Sequence, residues 1–233
     1  MPTDSSPPEV DRYIRQRDII PGDRLKDMNA IVIGVGAIGS QVAKQLTHIG
    51  VGTLTLIDPD EVSTENLAPQ GFDEDDVGQP KVCSVAATCG MVNSEVEIVT
   101  HHERFAARHL GVGNLAIFMC VDDMNARISI AKMCKEETFV VDGRMSAEVM
   151  RILTFWDRES YEAYTKTLFG SDEAFEESCT SKSTIYCANV AAGMMVGQFT
   201  KWLRGFPLAK DFELNILSLE LCENVETEAP ALV

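Results

Sequence analysis

Residues 29–33 form an apolar, β-branched run, residues 34–39 are dense in glycine, and Val42, Leu46 and Ile49 recur at helical spacing within residues 40–49. That order predicts strand, loop, helix. Residues 53–57 make the next strand, and the short connection leading to it makes a right-handed βαβ unit with parallel strands. The pattern continues with a helix over 81–91, strands over 95–100 and 115–121, a helix over 124–137 and a strand over 138–142. Beyond these, Val149, Arg151, Leu153 and Phe155 alternate within a strand at 148–156, and residues 212–221 alternate similarly, which suits an antiparallel extension. A long apolar helix is predicted over 185–204, and the acidic, poorly patterned residues 157–183 precede it. The fold class is therefore α/β: a Rossmann-like, open, mostly parallel sheet with helices on both faces. Residues 1–8 read as a disordered tail and 10–18 and 23–27 as a short helical lead-in. Residues 9–233 read as one domain without internal repeats.

Composition narrows the function classes. The 233 residues suit a single core, and a formal charge of −16 opposes binding to nucleic acid or to an anionic membrane. A partner with a basic face fits better. No apolar run approaches 20 residues, and the polar, Pro-rich start lacks the layout of a signal peptide, so a cytoplasmic location is expected. The 7 cysteines include no C-x-x-C pair and only 4 histidines accompany them, which speaks against a disulfide scaffold and against a zinc site.

Gly34, Gly36, Ala37 and Gly39 lie in a G-x-G-x-x-G segment that follows a buried strand and opens a helix. Backbone N–H groups at such a turn can hold phosphate. Asp58 ends the next strand, where a carboxylate can accept hydrogen bonds from ribose hydroxyls. These residues suit NAD and ATP equally, and the bland alternative is a glycine turn without a ligand.

Further segments change the balance: Arg12-Tyr13-Ile14-Arg15-Gln16, Asp58-Pro59-Asp60, Asn66-Leu67-Ala68-Pro69-Gln70, Gly78-Gln79-Pro80-Lys81, and Asp122 with Asp123 and Arg127. A hydride-transfer site needs none of them. Together they resemble the ThiF/MoeB/HesA superfamily of adenylating enzymes, relatives of the adenylation domain of ubiquitin-activating enzymes, from about residue 12 to residue 151. The resemblance implies ATP and Mg2+, and a ubiquitin-like or sulfur-carrier protein that presents its C-terminal tail. It implies adenylation of that terminal carboxylate, releasing pyrophosphate. By match, Arg15 would reach the phosphates, often across a homodimer. Asp58 would bind ribose with Asp60 close by, Asn66 and Gln70 would line the pocket, Lys81 would neutralise phosphate charge, and Asp122 would bind the metal. The bland alternatives are a surface salt bridge for Arg15, a solvated helix residue for Lys81 and a helix cap for Asp122. Arg127 reads as structural.

Two departures qualify the resemblance. Pro69 stands where many relatives carry an arginine, and Arg144, or less readily Arg151, is a candidate replacement. The zinc-binding cysteine pairs of MoeB-like members are absent. Cys179-Thr180-Ser181-Lys182 instead resembles the crossover loop of members that form a thioester, and residues 157–183 would be that loop region. Cys179 is thus a candidate nucleophile, with an inert loop cysteine as the alternative, while Cys187 reads as core. The competing functions are adenylation of a peptide or tRNA-linked carboxylate, an NAD-dependent oxidoreductase and a non-catalytic binding module.

Overall fold

The structure is a computed structural model that describes residues 11–111, 113–134, 138–169 and 182–223. In chain order its elements are α1 (Gly22–Lys26), β1 (Met28–Ile33), α2 (Ala37–Ile49), β2 (Thr53–Ile57), α3 (Leu67–Gln70), α4 (Lys81–Val92), β3 (Glu97–His101), β4 (Asn114–Met119), α5 (Met124–Met133), β5 (Phe139–Ser146), β6 (Val149–Phe155), α6 (Arg158–Thr165), α7 (Ile185–Arg204), β7 (Asp211–Asn215) and β8 (Glu220–Glu223). The strands form one sheet in the order β3-β2-β1-β4-β5-β6-β7-β8. The first five are parallel, and β6, β7 and β8 extend the sheet antiparallel.

The apolar runs are continuous because the parallel strands are covered on both faces. Ala30 and Val32 of β1 join the core beneath α2, α4 and α7, while Ile31 and Ile33 join the core beneath α5 and α6. The first core holds an aromatic cluster in which Phe199 of α7 lies 5.5 Å from Phe118 of β4 and 5.7 Å from Phe139 of β5, centroid to centroid. All three rings are fully buried. No helix among the described residues is long and apolar enough to cross a membrane.

The expected fold class is the observed one, with local corrections. Residues 157–183 are not wholly irregular: Asp157 accepts the Ser160 N–H at 2.8 Å, caps α6, and lets Tyr164 pack into the second core. Residues 212–221 are two strands, because Asn215 Oδ1 accepts the N–H groups of Leu217 and Ser218 and turns the chain. The lead-in is a series of turns followed by the short α1. Helix α2 begins at Ala37 rather than at residue 40, and β5 runs on to Ser146. The expected tail at 1–8 lies outside the described residues.

The lead-in is pinned at the edge from which the parallel strands start. Asn93 Nδ2 donates to Tyr13 Oη at 2.6 Å, and Gln16 Nε2 donates to Ile49 O at 3.1 Å. These are the C-terminal ends of α4 and α2. Gly50, at φ +85°, caps α2 there, and a Cβ on it would meet Tyr13 Oη at 2.5 Å.

Removing the Phe199 ring should leave a cavity under β4 and β5. Phe199→Ala is expected to destabilise the fold by about 3–5 kcal/mol, read as a lowered denaturant midpoint with an unchanged m-value. A midpoint equal to wild type would contradict this placement of the core.

Candidate functional site

The strand order reverses direction between β1 and β4, and ligands of open α/β sheets bind outside the carboxyl ends of the strands at such a point. Gly34 N–H donates to Ile57 O and Cys120 N–H to Ile33 O, each at 2.8 Å, so the glycine turn is held between the ends of β2 and β4. Gly34 has φ +83°, and a Cβ there would lie 2.8 Å from Cys120 O. A Cβ on Gly39 would lie 1.9 Å from Gly34 O. Only glycine permits this approach. The N-cap, Gly36, offers no side-chain cap, which leaves the first-turn N–H groups of α2 open and the positive end of the helix facing the mouth of the sheet.

Gln70 is laid across this turn. Ser40 Oγ donates to Gln70 O at 3.0 Å and Gln41 Nε2 donates to the same oxygen at 3.4 Å. Gln70 Oε1 is buried without a partner among the described residues, 3.4 Å from where a Cβ on Gly36 would sit. A glycine cradle, an uncapped helix start and an orphaned buried acceptor fit a group bearing phosphates and hydroxyls.

Asp58 is buried at the end of β2. Its Oδ2 accepts the Val35 N–H at 2.7 Å and its Oδ1 accepts the Asp60 N–H at 2.8 Å. Burial pushes its carboxyl above the usual range; the two N–H donors and the Lys81 charge oppose that shift, while the Asp60 charge adds to it. Lys81 opens α4, and its Nζ lies 3.0 Å from Asp60 Oδ2. The Lys81 side chain is only 8% exposed, whereas that of Asp60 is 62% exposed. The solvated-helix alternative for Lys81 is therefore wrong: this ammonium is buried at a helix start, where the dipole disfavours it, and one exposed carboxylate is its ion-pair partner. Asn66 Oδ1 accepts from Ser63 N–H and Ser63 Oγ, and its Nδ2 has no partner among the described residues.

Beyond β4, the cap of α5 is formed by Asp123, whose Oδ2 accepts the Ala126 N–H at 2.7 Å. Asp122 is exposed, and its carboxylate has no partner among the described residues. That disposes of the helix-cap alternative for Asp122 and occupies Asp123. Arg127 is structural, as expected: it donates to buried Asp142 at 3.1 Å and to Asp122 O at 3.2 Å. Arg144, the candidate replacement for the arginine missing at Pro69, is already engaged. Each of its three side-chain nitrogens already donates, to Asp142 or to Thr167. Arg151 is likewise engaged, with Asp211 at 2.8 Å.

One expected site residue is not brought to this mouth. Arg15 is exposed on the lead-in, at the opposite ends of α2 and α4; the 13 residues of α2 span about 20 Å. Cys179 lies outside the described residues. Cys187 is core, as expected, and burial pushes the thiols of Cys89, Cys120, Cys134 and Cys187 up. His101, Glu103 and His109 gather at the end of β3, but His109 Nδ1 accepts the Ala106 N–H at 3.0 Å. Its Nε2 therefore carries the proton shared with Glu103 at 2.9 Å and offers no lone pair to a metal.

Sequence reading passed over Val35, whose N–H fixes Asp58, and the buried group of Asp142 and Tyr164. The spacing of Tyr161, Tyr164 and Leu168 after the Asp157–Ser160 cap was the available signal for the latter.

The raised Asp58 pKa gives a pH signature. If Asp58 takes a ribose, as the family resemblance implies, the hydroxyls donate to the ionised carboxylate, so protonation competes with the nucleotide, and affinity should fall as pH drops through a value above the ordinary aspartate range of about 4. For folding the sign is opposite: the folded state holds this proton more tightly than the unfolded chain, so the contribution is present at low pH and lost as pH rises through the raised pKa. Calorimetric titration with ATP from pH 7 to pH 4 tests this, and a flat affinity would contradict it.

The crystal structure of PaaA superposes with a TM-score of 0.75 at 21% identity, covering 96% of this chain and 75% of that one. The microcin C7 biosynthetic enzyme MccB, in complex with N-formylated MccA, superposes with a TM-score of 0.78 at 18% identity, covering 95% and 74%. These likenesses concern the fold. In sequence, ubiquitin-like modifier-activating enzyme 5 of Drosophila simulans is 34% identical over 129 residues, 49% of this chain and 32% of that protein. The same enzyme of Drosophila pseudoobscura pseudoobscura is 31% identical over 150 residues, 58% and 38%. The chain thus matches about a third of the length of these relatives. The ThiF family model matches from residue 12 to residue 230, through the lead-in, the glycine turn and the antiparallel extension, and the chain belongs to the ThiF family.

Proposed function

We propose that this chain activates the C-terminal carboxylate of a ubiquitin-like or sulfur-carrier protein by adenylation with ATP. The observation that carries the reading is Lys81: a buried ammonium whose ion-pair partner among the described residues is the exposed Asp60 and whose charge also acts on Asp58, the carboxylate that holds the glycine turn at Val35. A buried cation at that place can neutralise a phosphate oxygen of a bound triphosphate. Membership of the ThiF family and the likeness to ubiquitin-like modifier-activating enzymes point to the same chemistry.

In this reading a carboxylate oxygen attacks the α-phosphorus in line, the bond from that phosphorus to the bridging oxygen breaks, and pyrophosphate leaves. The attacking carboxylate is already ionised at neutral pH, so no general base is required. Asp58 accepts from the ribose hydroxyls, Asn66 and Gln70 border the nucleotide, and the open N–H groups of α2 with Lys81 receive phosphate oxygens. Asp122 would hold Mg2+, which together with phosphate oxygens and water supplies the remaining charge neutralisation. The charge of −16 favours a basic substrate protein.

Arg15 belongs to the proposal as a residue acting in trans. It sits at the far ends of α2 and α4, so it would serve the site of a second copy in a homodimer. Cys179 enters as the thiol that would receive the acyl group, on the strength of the crossover-loop resemblance.

Lys81→Ala should lower ATP–pyrophosphate exchange by on the order of 10²–10³-fold, with little change in folding midpoint because Asp60 is exposed and not stranded. A fully active variant would sink the assignment. The same incubation with a ubiquitin-like protein, read by intact mass, should show a reductant-labile adduct on Cys179; a free Cys179 alongside accumulated adenylate removes that step.

Mixing Arg15→Ala with Lys81→Ala gives an independent reading of the dimer. Statistical exchange of subunits should restore about a quarter of wild-type activity, since one site of each mixed dimer would be complete. No recovery after exchange means that Arg15 does not act across subunits.

A further inference from the structure

The geometry points to Asp142 as a positioning residue that ties the Asp122 turn to the C-terminal end of α6. Asp142 lies in β5 with 0% exposure. Its Oδ1 accepts from Arg127 Nε at 3.1 Å, and its Oδ2 accepts from Arg144 Nε at 2.8 Å and from Tyr164 Oη at 3.1 Å. Each guanidinium then reaches outward. Arg127 Nη1 holds Asp122 O at 3.2 Å, and Arg144 holds Thr167 O and Thr167 Oγ1, each at 3.2 Å. One carboxylate therefore sits between two backbone segments, with a guanidinium reaching from it to each.

Stability does not explain this arrangement. Two guanidiniums around one buried carboxylate lose more hydration than apolar side chains of equal volume would, and such groups often add little net stability. What they add is direction. Burial and the Asp142 charge push the Tyr164 phenol well above its ordinary range, so it stays a donor to that carboxylate. The same hairpin also fixes the chain on the far side of residues 170–181: Ala147 N–H, at the β5–β6 turn, donates to Lys182 O at 2.7 Å. Both described flanks of that segment are thus fastened to the β5–β6 hairpin that carries Asp142.

Importance of the coupling for the metal rests on the adenylation reading; the coupling itself does not. Hydrogen exchange on the whole chain without ligand tests it first. Arg144→Gln should speed exchange of the Ala126 and Arg127 amides, which close the first turn of α5 on Asp123, by at least about threefold. Arg127→Gln should do the same to the Thr167 and Leu168 amides, because coupling is reciprocal. Variants that loosen only their own end overturn the inference, whether or not the chain turns over ATP. If Arg127→Gln does not fold, Arg144→Gln, whose side chain is 14% exposed, decides alone. In pyrophosphate exchange, Arg144→Gln should raise the half-saturating Mg2+ concentration about tenfold while the KM for ATP stays within about twofold. An unchanged Mg2+ requirement contradicts the inference, and a wild-type chain that shows no exchange removes the adenylation reading and leaves the amide rates to decide.

Discussion

The close approach of Gly39 to the carbonyl of Gly34 is the constraint on which the site depends. With 1.9 Å between that oxygen and any added Cβ, helix α2 can start only if position 39 carries no side chain. Because it starts there, its unbonded N–H groups face the mouth of the sheet rather than solvent. Gln70 can then lie over the turn, held by Ser40 and Gln41, and Val35 can present its N–H to Asp58. A helix displaced by even one methyl group would misplace each of these groups at once, since they share a single anchor at the end of β1.

Charge distribution around that turn follows a simple division. Lys81 and the start of α2 provide positive potential, and Asp58, Asp60 and Asp122 provide carboxylates, of which Asp58 takes the Val35 N–H and Asp60 the Lys81 ammonium. The guanidiniums of Arg127 and Arg144 both donate to Asp142, and Pro69 itself supplies no cation. In the proposed reading, a site with fewer cationic side chains would depend more heavily on Lys81, on bound metal and on whatever a second subunit brings. Arg15, fixed far from its own strand ends by the Tyr13–Asn93 bond, fits that last role.

Much of this was legible in the sequence, for a physical reason. Parallel strands buried on both faces are written as continuous apolar runs, and the glycine spacing reports a steric requirement that nothing else satisfies, so β1, β2, α2 and α4 and the positions of Asp58 and Lys81 could be read directly. The misses fall where the signal is not local. Helix α6 hides in an acidic stretch whose apolar content is carried by Tyr161 and Tyr164, and the break between β7 and β8 turns on one Asn215 side chain. The Asp142 group draws on β5, α5 and α6, and no spacing along the chain announces it. Which of two adjacent aspartates caps α5 is likewise a matter of geometry: the structure gives the cap to Asp123 and leaves Asp122 free among the described residues.

The central claim is that a carboxylate oxygen becomes bonded to the α-phosphorus of ATP. Placing 18O in the C-terminal carboxylate of a ubiquitin-like substrate, letting the activated acyl group pass to a thiol, and weighing the released nucleotide tests that bond directly. AMP carrying one 18O is predicted, because the bridging oxygen stays with phosphorus when the acyl bond breaks. Unlabelled AMP, or ADP as the nucleotide product, would contradict it.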